Sequence, residues 1–401
     1  MMLSSLVVRV KPWESARRLV NVPHEMTTSR AIPTLLRDLN ERAVLETIRA
    51  GAPISRAEIS RRSGISKPTV SLVLESLLEA DLVREAAERP DGPGYGAVYF
   101  EPVAEAAVVL GLDLGARFVR GAVCDLAGEV RARQDVELSV AEVAGAVEAI
   151  ERLHSSLLEA SGLDPDRVDG VVVGVPGVVE EGTGLLRLAE NVAGLEGRAF
   201  ASELQSALGL PVTLENDVNL AALGEQWQGV ARGVDDFVFL SIGTGMGAGV
   251  VLGGELHRGR HGAAGEIDFA LIAFDGVDPS APQVTALAGG AADPRAVFGA
   301  AREGDEAAQA VVAEVARRIA LHIAPFAAVA DVELVILGGG IGANGDLLLD
   351  PVSRLLTDWL PFPPRVEVST LGEAAVLTGA LAVGLQAALE NVFARRPSLS
   401  A

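Results

Sequence analysis

The feature that most constrains this chain is a pair of short helical segments separated by a glycine. Ser55 lies three residues before Glu58, which predicts a capping box at the start of the first segment. Gly64 ends that segment, and Ser66 opens the next one, whose first turn tolerates Pro68. The apolar positions of the second segment recur at helical spacing: Val70, Val73, Leu74, Leu77 and Leu78. A helix, a tight turn and a second helix indicate a helix-turn-helix.

The surrounding pattern extends this motif to a domain over residues 31–102. Another helical segment precedes it, and two short runs at 82–84 and 97–100 flank a turn rich in proline and glycine at 89–94. Such runs predict a hairpin, the wing of a winged helix-turn-helix. Residues 1–30 lack a persuasive periodicity and are predicted to form a disordered tail.

The charge of the chain is distributed unevenly. The net charge is −21, which by itself disfavours nucleic acid because phosphates repel an acidic protein. Residues 54–74, however, carry four basic side chains and one acidic side chain, Glu58. A basic island on an acidic body is what a DNA-binding module attached to a sensor would need.

The last helix of a helix-turn-helix enters the major groove, where its first turn reaches base edges. We expect base contacts from Lys67, Thr69 and Ser71, with Ser66 beside them at the helix start. Pro68 or Thr69 could touch a thymine methyl group. Three arginines are better placed for phosphates: Arg56, Arg61 and Arg62. The alternative is a winged helix that makes only protein contacts.

The remainder of the chain predicts a two-lobed body at 105–390. Buried strands alternate with helices, as in α/β layers. Similar hairpins begin near Asp113 and near Ile242, which indicates a duplicated unit. We expect lobe one at about 105–217 plus a C-terminal helix at 373–390, and lobe two at about 218–372.

Composition restricts the chemistry and the location. Cys124 is the only cysteine, so an internal disulfide and a cysteine-rich metal site are both excluded. No apolar run is expected to reach the roughly 18 residues that cross a bilayer, and no secretory signal is recognised. A cytoplasmic protein without a membrane partner is predicted.

Two segments could bind a small polar ligand. The glycine-rich turn at 243–249 follows a buried strand and could hold a phosphate through its backbone amides, although core hairpins also use glycine. Asn216 and Asp217 open a helix directly after a strand, where they could bind sugar hydroxyls. They could equally serve as a helix cap, since both residue types are favoured there.

The segment 56–71 resembles the DNA-binding motif of the ROK family (repressors, open reading frames, kinases). Spaced segments across about 109–385 resemble the family's sugar-kinase-like body: Asp113-Leu-Gly115, Pro176-Gly177, 215–225, 241–249, 258–266 and Gly338-Gly-Gly340. The resemblance implies an actin-like, RNase H-like body of α/β type behind an α+β winged helix.

The resemblance also implies roles for individual residues. Asn216, Asp217 and Glu266 would bind sugar, and Asp217 is equivalent to the catalytic base of the kinases. The degenerate phosphate turns would comprise Asp113, Gly115, Gly243, Thr244 and Gly245, with Gly338 and Gly339 on the adenosine side.

This sequence departs from the family pattern at four places. The wing reads Gly94-Tyr-Gly96 without the family's arginine, and Ala116-Arg117 replaces a Gly-Thr pair in the first phosphate turn, which disfavours ATP. Asp268-Phe269 replaces the Gly-His that follows the sugar-binding glutamate, and the cysteine-rich zinc loop is absent from about 277–293. We therefore expect no zinc and no cofactor. Phe269 could stack on a sugar or simply fill the vacated space.

Three functions remain open at this stage. The first is a transcriptional regulator, in particular a repressor of carbohydrate genes, that binds double-stranded operator DNA and senses a sugar or phosphosugar in a degenerate kinase cleft. The second is an active ATP-dependent sugar kinase with an appended DNA-binding domain. The third is a constitutive DNA-binding protein with an inactive scaffold. The family likeness implies a homodimer or a homotetramer.

Overall fold

The computed structural model of the protein describes residues 31–87, 97–138, 142–180, 182–189, 192–243, 245–267 and 293–394. The predicted tail at 1–30 and the wing turn at 89–94 lie outside these residues, as do Thr244, Asp268 and Phe269.

The N-terminal domain is a winged helix-turn-helix. Its elements are α1 (Ala31–Arg49), β1 (Ile54–Ser55), α2 (Arg56–Ser63), α3 (Lys67–Glu79), β2 (Val83–Glu85) and β3 (Tyr99–Pro102). The strands form an antiparallel sheet in the order β1-β3-β2. The sequence analysis did not predict β1, and β3 extends to Pro102, two residues beyond the predicted run at 97–100. Gly64 ends α2 in the left-handed conformation at φ 72°, which glycine adopts without steric cost.

The body is built from two copies of one sheet topology. Lobe one contains β4 (Val108–Leu114), β5 (Phe118–Asp125), β6 (Val130–Glu137), α4 (Val143–Ser161), β7 (Val168–Val175), β8 (Val178–Val179), β9 (Leu186–Arg187), α5 (Phe200–Leu208) and β10 (Val212–Asn216). Its main sheet has the order β6-β5-β4-β7-β10, with an antiparallel β4–β5–β6 meander and parallel β7 and β10.

Lobe two repeats this arrangement after α6 (Asp217–Gln228). Its elements are β11 (Phe237–Ile242), β12 (Met246–Leu252), β13 (Glu255–Leu256), α7 (Pro294–Arg302), α8 (Glu306–Ala330), β14 (Leu334–Gly338), α9 (Gly339–Gly342), α10 (Gly345–Trp359) and β15 (Arg365–Val368). The strand order β13-β12-β11-β14-β15 matches that of lobe one, again with three antiparallel strands followed by two parallel strands. The duplication predicted from the two hairpins is thus present in the fold.

The last helix, α11 (Ala375–Ala394), joins the lobes. It packs against α6 and against β4 and β7 of lobe one. The segment Gly372–Phe393 is long and apolar enough to cross a membrane, with a mean hydropathy of 1.4, which corrects the expectation that the chain has no such run. Its packing against α6 and the sheet is typical of the core helix of a globular domain.

The DNA-binding domain is packed directly onto the body. The Arg49 Nε atom of α1 donates a hydrogen bond to the Leu126 carbonyl oxygen at 2.6 Å. The Arg42 guanidinium lies 5.3 Å from the centre of the Phe393 ring, near the end of α11. One continuous apolar cluster contains residues of α1 and α3 together with residues of β4, β5 and α11. The two domains therefore share a core, which gives the body a mechanical connection to the DNA-reading helix.

Candidate functional site

The candidate nucleic-acid interface is the exposed side of α2 and α3. Eight residues were predicted to contact DNA. Six of them are exposed, namely Arg56, Arg61, Arg62, Ser66, Lys67 and Pro68, and the other two, Thr69 and Ser71, are half-buried. The opposite side of α3 is anchored in the core by Val70, Val73, Leu74 and Leu77. Ser66 caps α3 by accepting a hydrogen bond from the Thr69 backbone amide at 3.4 Å. The first turn of α3 is thus fixed and accessible to a duplex.

The arginines of α2 are not equally available. The Glu58 carboxylate accepts from Arg62 Nε at 2.6 Å and also pairs with Arg61, and these two bonds hold the pKa of Glu58 below its ordinary value. The predicted capping box is therefore only half present, because the Glu58 amide bonds Ser55 while its carboxylate turns to the arginines. Within the described part of the chain, Arg56 and Lys67 have no ion-pair partner, so they present the least compensated positive charge of this surface.

The candidate ligand cleft brings together three of the acids predicted from sequence. The pKa of Asp217 is raised to about 7, mainly by burial, with the neighbouring Asp113 and Glu266 carboxylates contributing. The Asp217 residue is half-buried by surface exposure, yet its carboxyl group is surrounded by protein. Repulsion of this kind requires the three acids to be close together, although they come from β4, α6 and the segment after β13.

Asn216 is engaged mainly in holding the backbone. Its Oδ1 atom accepts from the Asn219 amide at 3.0 Å, and its Nδ2 atom donates to the Gly177 carbonyl at 2.9 Å. Asn216 is thus the N-cap of α6, as the alternative reading of the sequence held. One amide hydrogen and one lone pair of its side chain remain for a ligand, so its sugar-binding role stays a prediction.

Sequence reasoning missed the side chain that holds this corner of the cleft, Glu215. Its Oε1 atom accepts from Asn219 Nδ2 at 2.9 Å, and its Oε2 atom accepts from Arg258 Nε at 2.7 Å. Glu215 thereby connects the end of β10 to the segment that leads to Glu266. The sequence shows an acid directly before Asn216, but it does not predict that the partner of this acid is Arg258.

In the predicted first phosphate turn, Asp113 is paired with an arginine of the same hairpin, Arg120. Asp113 and Arg120 face each other across the β4–β5 hairpin, and their side chains lie 3.3 Å apart. Arg120 also contacts Glu373 at 3.3 Å, just before α11. Burial raises the pKa of Asp113 to about 6, and Arg120 opposes this effect. Asp113 and Arg120 are directly opposite each other in the register of the hairpin. The ion pair could therefore have been predicted from the hairpin in the sequence.

Two glycines of the predicted phosphate turns differ in the free space around them. A Cβ atom at Gly243 would meet no atom within 4 Å, so this turn lines open space. A Cβ atom at Gly339, where φ is 75°, would lie 2.5 Å from the Ile242 carbonyl oxygen. Gly339 is therefore explained by packing of β14 against β11, whereas Gly243 retains room for a ligand. Gly115 closes the β4–β5 turn by donating its amide to the Phe118 carbonyl at 2.9 Å.

Metal binding is not indicated in the part of the chain that the structure covers. There, no group of three or more His, Cys, Asp and Glu side chains could hold a metal ion. Residues 268–292, which include most of the place of the family's zinc loop, lie outside that part. The expectation of no zinc and no cofactor stays a prediction.

The buried acids give a pH dependence of stability with a definite sign. The folded pKa of Asp217, about 7, lies well above the ordinary value of an aspartate, so between about pH 4 and pH 7 the native state holds a proton that the unfolded state releases. Stability should therefore fall as the pH rises through this window, and Asp113 should add a smaller effect in the same direction. We expect Asp217→Asn to unfold at a higher temperature than wild type at pH 8, with a smaller difference at pH 5.

The matched control is Asp346→Asn. Arg302 holds the pKa of Asp346 below its ordinary value, so this carboxylate favours the folded state once ionised. The control should lose stability at pH 8, the opposite direction. Thermal unfolding of the three proteins at pH 5 and pH 8 checks both signs. An Asp217→Asn variant less stable than wild type at pH 8 would contradict the assignment.

Comparison with known proteins agrees with this architecture. The sequence model of the ROK family matches residues 109–285 and 280–387, and a model described as winged helix-turn-helix DNA-binding matches residues 37–84. A xylose repressor of Caldicellulosiruptor bescii is 27% identical over 387 residues, covering 87% of this chain and 96% of that protein. A glucokinase of Thermotoga maritima is 30% identical over 278 residues, covering 60% of this chain and 86% of the kinase.

A solved structure shares both domains. The crystal structure of a ROK family transcriptional regulator, a homologue of the E. coli MLC protein, superposes with a TM-score of 0.73 at 23% identity. It covers 90% of this chain and 98% of the other, so the likeness extends over the DNA-binding domain and both lobes. With the family model matching more than half of its residues, this chain belongs to the ROK family and carries an N-terminal winged helix-turn-helix.

Proposed function

We propose that the protein is a sugar-responsive transcriptional repressor that binds operator DNA through α3. The observation that carries the proposal is the apolar core shared by the winged helix-turn-helix and the body. The first domain presents an accessible basic first turn in α3, and the body carries the neighbouring acids Asp113, Asp217 and Glu266. The xylose repressor of Caldicellulosiruptor bescii matches 87% of this chain and 96% of its own length, which makes xylose the first effector to test.

The effector is a sugar or a phosphosugar held by hydrogen bonds. Carboxylates in a partly desolvated cleft accept hydrogen bonds from hydroxyl groups, and Asp217, with a pKa of about 7, can also donate one. The ligand changes operator affinity only if it prefers one arrangement of the lobes. We propose that α11 transmits this preference, because it contacts both α6 and the apolar cluster shared with the DNA-binding domain.

We also propose that the protein acts in the cytoplasm as a homodimer or homotetramer. Operators of helix-turn-helix proteins are read as paired half-sites, one for each recognition helix. A change in the separation of two such helices would release the operator without altering either helix.

The test is operator affinity in the presence and absence of ligand. An operator is selected from random duplexes by the full-length protein, and its affinity is measured with xylose, glucose and their phosphates. We expect one sugar class to change the affinity by about 5- to 150-fold, the usual range of allosteric coupling. Asp217→Asn should abolish that response while leaving ligand-free affinity unchanged. An operator bound equally well with every sugar would overturn the sensor function.

A second function, sugar phosphorylation, has one specific support: Asp217 lies at the position of the kinase base and has a pKa suited to proton transfer. Arg120 counts against it, since its guanidinium pairs with Asp113 and so engages a carboxylate of the predicted first phosphate turn. We propose that the protein consumes no ATP with hexoses, pentoses or N-acetylhexosamines. ATP consumption that Asp217→Asn abolishes would establish the kinase instead.

A further inference from the structure

The polar side chains in the first turn of α3 are largely occupied within the protein. The Ser71 hydroxyl donates to the Lys67 carbonyl oxygen at 3.0 Å. The Ser66 and Thr69 hydroxyls lie 2.8 Å apart, so one of them donates to the other. A hydroxyl carries a single proton, and therefore at most one of these three can still donate to a base. Apart from the Lys67 ammonium, the first turn of α3 therefore offers few hydrogen-bond donors with which to read a sequence.

An apolar ridge lies beside these occupied hydroxyls. Leu72 is 68% exposed and is the most exposed large apolar side chain recorded in the DNA-binding domain's described part. Pro68, also exposed, is four residues earlier and so lies on the same side of the helix. The residues that anchor α3 in the core point the other way: Val70, Val73, Leu74 and Leu77. Pro68 and Leu72 thus form one ridge on the outward face.

The charges around this ridge limit what can cover it. Lys67, at the start of α3, directly precedes Pro68, so a positive charge lies beside the ridge. A positive charge there favours a polyanionic partner such as DNA. Beyond Leu72 the outward face continues with the exposed acids Glu75 and Glu79, which would repel phosphates. An anionic partner therefore fits only the first two turns. This is the part of a recognition helix that enters the major groove.

We propose that Leu72 is a specificity-determining residue that packs, together with Pro68, against the C5-methyl groups of thymines in the operator. The inference rests on the proposed function. The thymine methyl is the apolar feature of the major groove, and an aliphatic side chain recognises it without a hydrogen bond. The operator should accordingly contain thymines at the positions that α3 covers, and loss of their methyl groups should weaken binding.

The experiment combines a protein change with a base change. The operator selected by the full-length wild-type protein is prepared with thymine and, at one covered position at a time, with deoxyuridine, which lacks only the methyl group. We expect uracil at one or two positions to weaken wild-type binding about fivefold each. Leu72→Ala should weaken binding to the thymine duplex about tenfold and bind the thymine and uracil duplexes equally.

The matched control is Leu78→Ala, on the same helix but away from the ridge, where the side chain is 36% exposed. It should keep the wild-type preference for thymine over uracil. The wild-type comparison of the two duplexes needs no variant, so a folding defect cannot hide the result.

Each other outcome overturns the inference. Leu72→Ala that retains the wild-type preference for thymine would show that Leu72 does not touch the methyl group. A change in oligomeric state with that preference retained would assign Leu72 to a contact between copies of the chain. If no duplex is enriched in the selection, the proposed function itself fails; if a duplex is enriched but uracil has no effect, only the role of Leu72 fails.

Discussion

Gly379→Ala is expected to destabilise the two-lobed body by about 3 kcal/mol or more, a large fraction of the stability of an ordinary domain. A Cβ atom at Gly379 of α11 would overlap the Leu220 carbonyl oxygen of α6. On the facing helix, a Cβ atom at Gly224 would overlap the Ala375 carbonyl oxygen and lie 3.1 Å from the Gly379 amide nitrogen. The two helices thus touch backbone to backbone, where no side-chain rotation can relieve an added methyl group.

The sign of this effect distinguishes packing from helix propensity. In an unobstructed helix, replacing glycine by alanine stabilises by up to about 1 kcal/mol. Gly299 in α7 provides that control, since a Cβ atom there would meet no atom within 4 Å. Gly299→Ala should be neutral or stabilising, whereas Gly379→Ala should shift the denaturation midpoint far down. Equal midpoints for the two variants would mean that α6 and α11 are not in backbone contact.

The same contact bears on signalling between the domains. Helices this close cannot tilt separately without losing their packing, which is the physical basis for the proposal that α11 transmits a movement of the lobes. A partially folded Gly379→Ala protein would therefore be expected to lose its response to the effector even where the DNA-binding domain still binds the duplex.

Lys67→Glu is expected to abolish specific operator binding, with a loss of affinity of at least about 100-fold at physiological salt. The substitution changes the charge in the first turn of α3 by two units, at the point that enters the groove. Gel-shift or fluorescence titrations at several salt concentrations measure the loss. Arg354→Glu, an equal charge reversal at an exposed position of α10 in the body, is the control and should leave operator affinity nearly unchanged.

A substitution at Glu58 is expected to raise the affinity for DNA, in contrast to Lys67→Glu. Glu58→Gln removes the carboxylate that pairs with Arg61 and Arg62, while the backbone bond from residue 58 to Ser55 can remain. Two arginines then become available to phosphates. Affinity for DNA should rise by about tenfold at low salt, with a steeper dependence on salt concentration. Unchanged affinity and salt dependence would show that these arginines lie away from the duplex.

Much of the fold and of the DNA-reading module could be predicted from sequence, because the signals there are local. The caps at Ser55 and Ser66 and the break at Gly64 act over three or four residues of backbone. The hairpin from Asp113 through Phe118 has its predicted strands because buried β-branched runs and a glycine turn specify it locally. The repetition of this hairpin near Ile242 was enough to predict two lobes.

The candidate cleft was located only in part. The sequence placed Asp217 and Glu266 in one site through resemblance. Glu266 contributes to the raised pKa of Asp217, and the role of both residues toward a ligand stays a prediction. The sequence left open whether Asn216 binds a ligand or caps the helix, and it gave no indication that Glu215 would bind Arg258, 43 residues away. Such pairs depend on how two distant segments meet.

The linear chain by itself determined which segments are helices and strands, where the positive charge lies and which acids could face a ligand. Tertiary packing decided which polar groups remain available: Glu58 turned to its arginines, Arg120 bound Asp113, and the hydroxyls of α3 bonded one another while Leu72 stayed exposed. The physical reason is that backbone hydrogen bonding and helical periodicity act between near neighbours. The partner of a side chain, by contrast, is fixed only when separate elements are brought together in a particular register.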